Sequence, residues 1–124
     1  MSNKVMIVDD DPSILLAAKT VLELADFDVI TADGGKSCLQ ELASGFRGVI
    51  LMDVMMPKMD GWATIREIVA NGYFEGNLIS MLTAKDVPDL DMEGLAEYVL
   101  NYTRKPFKPQ ELISLVREYT SYLE

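Results

Sequence analysis

The sequence predicts an α/β protein: a five-stranded parallel sheet, doubly wound, with helices on both faces in a three-layer α/β/α arrangement. Short uninterrupted apolar runs recur along the chain, each of strand length. Between them lie stretches whose apolar residues return at helical spacing. The two patterns alternate from one end to the other, without an internal repeat, a low-complexity tract or a linker.

Val5-Met6-Ile7-Val8 is apolar on successive residues, as in a strand covered on both faces. Three aspartates stop this run, and Pro12 fits the first position of a helix. Ile14, Ala18, Val21, Leu22 and Ala25 give that helix its inward stripe. Residues 28–32 form the second strand, broken by Gly34-Gly35. Leu39, Leu42, Ala43 and Phe46 mark the second helix. Residues 48–52 form the third buried strand, which ends at Asp53. Beyond the loop 55–61, Trp62, Ile65, Ile68 and Val69 mark the third helix. Residues 77–82 form the fourth strand, ending at Thr83. A fourth helix is expected over 86–97, although Pro88 and Gly94 interrupt its pattern. Residues 98–102 read as the fifth strand. After Pro109, the stripe Leu112, Leu115, Val116, Tyr119 and Leu123 defines the last helix.

The length of 124 residues suits one domain, 1–124, with a core of its own. The chain has no histidine, which excludes a histidine base, nucleophile or zinc ligand. Its single cysteine, Cys38, cannot form an intramolecular disulfide, and its place on a helix suits a structural role. Twenty acidic residues against eleven basic ones give a net charge of −9. That charge repels phosphate backbones and anionic lipid, so direct binding to nucleic acid or membrane is not expected. No apolar run approaches a membrane span and the N-terminus does not read as a signal peptide, so a cytoplasmic location is expected.

In a parallel sheet, ligands bind beyond the C-terminal ends of the strands, where the strand order reverses. Here those ends carry Asp9-Asp10-Asp11, Asp53, Thr83 and Lys105-Pro106. Two like charges about 4 Å apart repel by roughly 4 kcal/mol at an effective dielectric near 20, so gathered carboxylates call for a compensating cation. Mg2+ suits an all-oxygen set. A carboxylate is ionised at neutral pH and can form an aspartyl phosphate. Mg2+ and Lys105 could then neutralise a phosphoryl group while Thr83 donates a hydrogen bond. Each residue alone has a plainer reading. Asp11 fits a helix cap, Asp53 a turn residue, Asp60-Gly61 a turn, Thr83 a cap and Lys105 a solvated lysine. Met52, Met55, Met56 and Met59 suit core and loop packing better than a soft-metal site. The convergence of four strand ends on one crevice favours the chemical reading.

The segments Val8-Asp9-Asp10-Asp11-Pro12-Ser13, Met52-Asp53-Val54-Met55-Met56-Pro57-Lys58-Met59-Asp60-Gly61, Leu82-Thr83-Ala84 and Lys105-Pro106-Phe107 together resemble the receiver domain of two-component response regulators. The resemblance runs over essentially the whole chain. It implies the flavodoxin-like strand order 2-1-3-4-5. It implies Asp53 as phosphoacceptor, with Mg2+ held by Asp10, Asp53 and the Met55 backbone carbonyl, and by Asp9 mainly through water. Lys105 and Thr83 would contact the phosphoryl group, Thr83 and Tyr102 would form the switch, and the Lys105–Pro106 bond would be cis. The donor would be a histidine kinase or phosphotransfer protein. A downstream protein would bind the face formed by the fourth expected helix, the fifth strand and the last helix. Such a protein is not a turnover enzyme, since it catalyses only its own phosphorylation and dephosphorylation. Tyr98-Val99 replaces the family's usual Gly-Ala step, and Arg104 stands where a small or neutral residue is common. Met55 and Lys85 occupy positions that modulate water attack in the family, and Met55 implies slow to intermediate loss of phosphate.

Two rival readings follow from the same residues. Asp9-Asp10-Asp11-Pro12-Ser13 loosely imitates a haloacid-dehalogenase-like phosphatase, but the chain is short for that fold and Asp53 would have no role. A non-phosphorylated docking scaffold would be expected to lack an acid or the lysine, and this chain lacks neither.

Overall fold

The central strands of this protein alternate their side chains between two cores, and that alternation sets the layers. The computed structural model describes residues 3–83 and 94–123. Strands β1 (Lys4–Val8), β2 (Asp28–Ala32), β3 (Val49–Asp53), β4 (Leu78–Thr83) and β5 (Val99–Arg104) are interleaved with helices α1 (Pro12–Leu24), α2 (Gly35–Ala43), α3 (Gly61–Ala70) and α4 (Pro109–Tyr122). The strands form one parallel sheet in the order β2-β1-β3-β4-β5.

Val5 and Ile7 of β1, with Val49 and Leu51 of β3, pack with Ala18 and Leu22 of α1 and Leu112 and Val116 of α4. Met6, Val8, Ile50 and Met52 point the other way, against Cys38 and Leu42 of α2 and Ile65 and Ile68 of α3. The sheet is therefore the middle of three layers. β1 and β3 are buried along almost their whole length, which is why they read as unbroken apolar runs. A fully buried Leu, Ile or Met contributes about 1.5–3 kcal/mol, so these two strands anchor the fold.

The helices begin where the sequence signals require. Pro12 opens α1, and the Asp11 side chain caps it by accepting from the Ser13 N–H at 2.9 Å. Asp60, expected in a turn, caps α3 through the Ala63 N–H at 2.8 Å. α2 stops at Ala43, ahead of Phe46, where Gly45 takes a positive φ of 108°. β5 runs two residues further than expected, through Arg104. Most of the helix expected at 86–97 lies outside the described residues, and Ala96–Tyr98 forms a single 3-10 turn. Cys38 is buried, and burial pushes its thiol up to about 12, which suits a structural role. Among the described residues no helix is long and apolar enough to cross a membrane.

Candidate functional site

The strand order reverses between β1 and β3, and the site sits there. β1 pairs with β2 on one side and with β3 on the other, with Val8 level with both Ala32 and Met52. The next residues, Asp9 and Asp53, therefore stand side by side at the C-terminal ends of the two strands. They follow Ile7 and Leu51 in the two-residue period, so both point toward the α1 and α4 side. Val54 N–H donates to the Leu82 carbonyl at 3.0 Å and Gly61 N–H to the Val54 carbonyl at 2.9 Å. These bonds hold the segment after Asp53 against β4 and α3. Gly61 has no room for a side chain, since a Cβ would lie 2.6 Å from the Asp53 carbonyl oxygen.

Lys105 joins the two strand ends. Its Nζ donates to Asp9 Oδ2 at 2.6 Å and lies 3.2 Å from Asp53 Oδ1. Asp53 Oδ1 also accepts from the Met55 N–H at 3.3 Å, and Asp9 Oδ1 accepts from the Asp11 N–H at 2.9 Å. Asp9 and Asp53 are buried and Asp10 is exposed, yet carboxylate oxygens of all three lie within 4.8 Å of one another. The lysine read alone as a solvated one is instead largely buried in an ion-paired cluster.

Two buried carboxylates share one ammonium, with a third carboxylate nearby, and the electrostatics reflect it. Burial, then the neighbouring Asp9 carboxylate, push the Asp53 carboxyl up to about 6, against the opposing pull of Lys105 and the Met55 amide. Burial alone would lower the Lys105 pKa. Its hydrogen bond to Asp9 and the two carboxylate charges outweigh that, and its pKa is raised. The lysine is thus committed to its positive form, while Asp53 is left incompletely compensated. The donor set is all oxygen and carries surplus negative charge, which fits a hard divalent cation and gives no soft or nitrogen ligand.

The remaining expected residues lie on β4, on β5 and just after β5. Thr83 is buried at the end of β4, and its carbonyl accepts the Lys105 N–H at 2.7 Å. The Lys105–Pro106 peptide bond is cis. Tyr102 is half-buried on β5 beside Met81, with its ring 6.4 Å from that of Trp62. Met55 stands apart from the other methionines near the site, with 55% of its surface exposed, whereas Met52 and Met56 are core.

Sequence reasoning did not find three features: the direct bond from Lys105 to Asp9, the capping role of Asp60, and the closeness of Gly61 to the Asp53 backbone. The last two had local signals: an aspartate directly before a helical stripe is a preferred cap, and a glycine stands at the start of a helix where alanine would be the better helix former.

A protein-family model described as the response regulator receiver domain matches residues 5–117. The chain is 34% identical to protein PilG of Pseudomonas aeruginosa, over 94% of this chain and 86% of PilG. It is 38% identical to a CpxR homolog, a transcriptional regulatory protein of Haemophilus influenzae, over 93% of this chain but only 49% of that protein. It thus spans most of the first relative and about half of the second. Among solved structures, a CheY-like receiver domain protein from Methanospirillum hungatei superposes with a TM-score of 0.92 at 48% identity, covering 97% of this chain and 95% of that one. Vibrio cholerae CheY4 superposes with a TM-score of 0.85 at 29% identity, covering 96% and 99%. By its matched segments, its strand order and the carboxylate cluster at the reversal of that order, the chain belongs to the response regulator receiver domain family.

Proposed function

We propose that residues 1–124 act as a cytoplasmic response regulator receiver domain that takes a phosphoryl group onto Asp53 and changes its contacts with a partner protein. The observation that supports this best is the sharing of one lysine by two buried carboxylates, Asp9 at 2.6 Å and Asp53 at 3.2 Å, with Asp10 alongside.

Asp10, Asp53 and the Met55 carbonyl would hold Mg2+, with Asp9 reaching it mainly through water. Bound there, the ion supplies positive charge to the oxygens of the transferring group. The chain's own residues do the rest. Lys105 and the Met55 amide both hold Asp53 Oδ1, which leaves Oδ2 to attack phosphorus. The phosphorus–nitrogen bond of a phosphohistidine breaks as the new phosphorus–oxygen bond forms, and its electron pair returns to the imidazole. These 124 residues contain no histidine, so the phosphohistidine lies outside them, on a histidine kinase or a phosphotransfer protein. Lys105 contacts the phosphoryl oxygens and Thr83 donates its hydroxyl to one of them. Water later attacks phosphorus, releases inorganic phosphate and restores the Asp53 carboxylate. The protein is a switch and not a turnover enzyme.

As Thr83 moves toward the phosphoryl group, Tyr102 turns inward, and the face built on β5 and α4 with the segment before β5 changes its population of conformers. That face is where a downstream protein binds. The test is intact mass after incubation with acetyl phosphate and Mg2+. The wild type should gain the mass of one phosphoryl group and Asp53→Asn should not. An equal gain in both proteins would refute the assignment of Asp53.

A further inference from the structure

Trp62 is the chain's only tryptophan and the second residue of α3. It is 7% exposed and packs in the core between α3 and the β4–β5 side of the sheet. Its Nε1 is buried and has no hydrogen-bond partner among the described residues. Such an atom is rare. Buried polar groups in folded proteins are bonded in roughly nine cases of ten, because an unmade bond there costs free energy. The indole has a single polar atom, and it only donates. A phenylalanine would fill much of the same space with no donor to satisfy.

The aromatic neighbour of this donor is Tyr102. The two ring centroids are 6.4 Å apart and the planes are inclined by 52°. Tyr102 is half-buried, and its β5 position is level with Met81, a core neighbour of Trp62. A tyrosine hydroxyl projects beyond its ring. The two neighbouring rings, 6.4 Å apart, thus carry one donor, the indole N–H, and one group able to accept, the phenol oxygen.

We propose that Trp62 is the latch of the switch: its indole N–H donates to the Tyr102 hydroxyl when Tyr102 turns inward. The latch rests on the phosphorylation reading given above and adds to it the residue that holds the inward state. A signal can shift a conformational equilibrium only by as much as the two states differ in free energy. A buried donor without a partner in one state and bonded in the other supplies such a difference, on the order of fivefold in population for a typical net hydrogen bond. Trp62 is a positioning residue here and takes no part in the transfer itself.

One tryptophan gives one indole N–H resonance, which makes the test direct. The full chain is labelled with nitrogen-15 and its spectrum recorded with Mg2+, before and after acetyl phosphate, for the wild type and Tyr102→Phe. Intact mass is measured on the same samples. In phosphorylated wild type the indole proton should move downfield and exchange more slowly with solvent. In phosphorylated Tyr102→Phe, which keeps the ring but lacks the hydroxyl, both changes should be lost. An indole resonance that stays in place in phosphorylated wild type, or the same shift in Tyr102→Phe, overturns the latch while leaving the phosphorylation reading intact. If neither protein gains phosphoryl mass, the phosphorylation reading fails and the latch with it.

Discussion

Replacing Asp53 by asparagine should stabilise the metal-free protein at neutral pH while abolishing phosphorylation. Asp53 is 4% exposed, and burial with the nearby Asp9 carboxylate raises its carboxyl from 3.8 to about 6. A group whose folded pKa lies above its unfolded value holds its proton more tightly in the native state. The stability it contributes is complete below the unfolded value and is lost as pH rises through about 6. A rise of about two units corresponds to at most about 3 kcal/mol, set against a total stability of about 5–15 kcal/mol. Asparagine keeps the shape and an oxygen for the Met55 N–H, but brings no charge to desolvate. Lys105 keeps its shorter bond, to Asp9 at 2.6 Å. The assay is urea unfolding of both proteins in chelator at about pH 4 and about pH 7.5. The two should be nearly equal in the acid series and differ by about 1–3 kcal/mol in the neutral one, with Asp53→Asn the more stable. Mg2+ should narrow the gap by stabilising the wild type more. A wild type as stable as Asp53→Asn at neutral pH in chelator would refute the idea that Asp53 carries an uncompensated charge.

Three further perturbations probe the same cluster. Lys105→Ala leaves Asp9 and Asp53 without their shared cation, and metal-free stability should fall by about 3 kcal/mol, with partial recovery in Mg2+; an unchanged urea midpoint would contradict it. In Gly61→Ala the new Cβ meets the Asp53 carbonyl oxygen at 2.6 Å and Val54 Cα at 3.0 Å, so backbone must move. The cost should be about 1–3 kcal/mol, and acyl phosphate should form more slowly in a rapid-quench assay; wild-type values of both would count against the close packing. Met55 is exposed beside Asp53 and offers no hydrogen bond to an attacking water, so Met55→Asn should shorten the lifetime of the acyl phosphate, followed by release of inorganic phosphate. A half-life of seconds in the wild type would contradict the slow to intermediate loss expected from Met55.

Much of this arrangement was legible in the sequence, and the reason is geometric. β1, β3 and β4 are covered on both faces, so their apolar runs announce them. Once the sheet is parallel, all strand ends meet at one edge, and Asp9, Asp53, Thr83 and Lys105 can be gathered without knowing which strands are neighbours. β5 was placed less well because it is a partly exposed edge strand. Asn101, Thr103 and Arg104 break its apolar pattern, so its extension to Arg104 depends on pairing with β4 and not on composition. The bond from Lys105 to Asp9 spans 96 residues of sequence, and no local signal encodes it. In the sequence Trp62 is only one of the apolar residues that mark the third helix. Its role as an unpartnered donor depends on what surrounds its nitrogen, which periodicity cannot report.

The same lysine that balances the site also ties it to the sheet. Lys105 Nζ bonds Asp9 and Asp53, while its backbone N–H donates to the Thr83 carbonyl at 2.7 Å. One residue therefore touches the acidic cluster with its head and the end of β4 with its main chain. On the proposed reading, phosphorylation replaces one carboxylate charge by a group with more negative charge and more acceptor oxygens. Lys105 must then divide its donors between Asp9 and the new oxygens, and any displacement of its backbone is felt at Thr83. Tyr102, three residues earlier on β5, lies on the same stretch of chain and beside the one buried donor that lacks a partner among the described residues. On that reading a change of charge at Asp53 reaches the packing between β5 and α3 through the main-chain bond from Lys105 to Thr83, and then through the neighbouring rings of Tyr102 and Trp62.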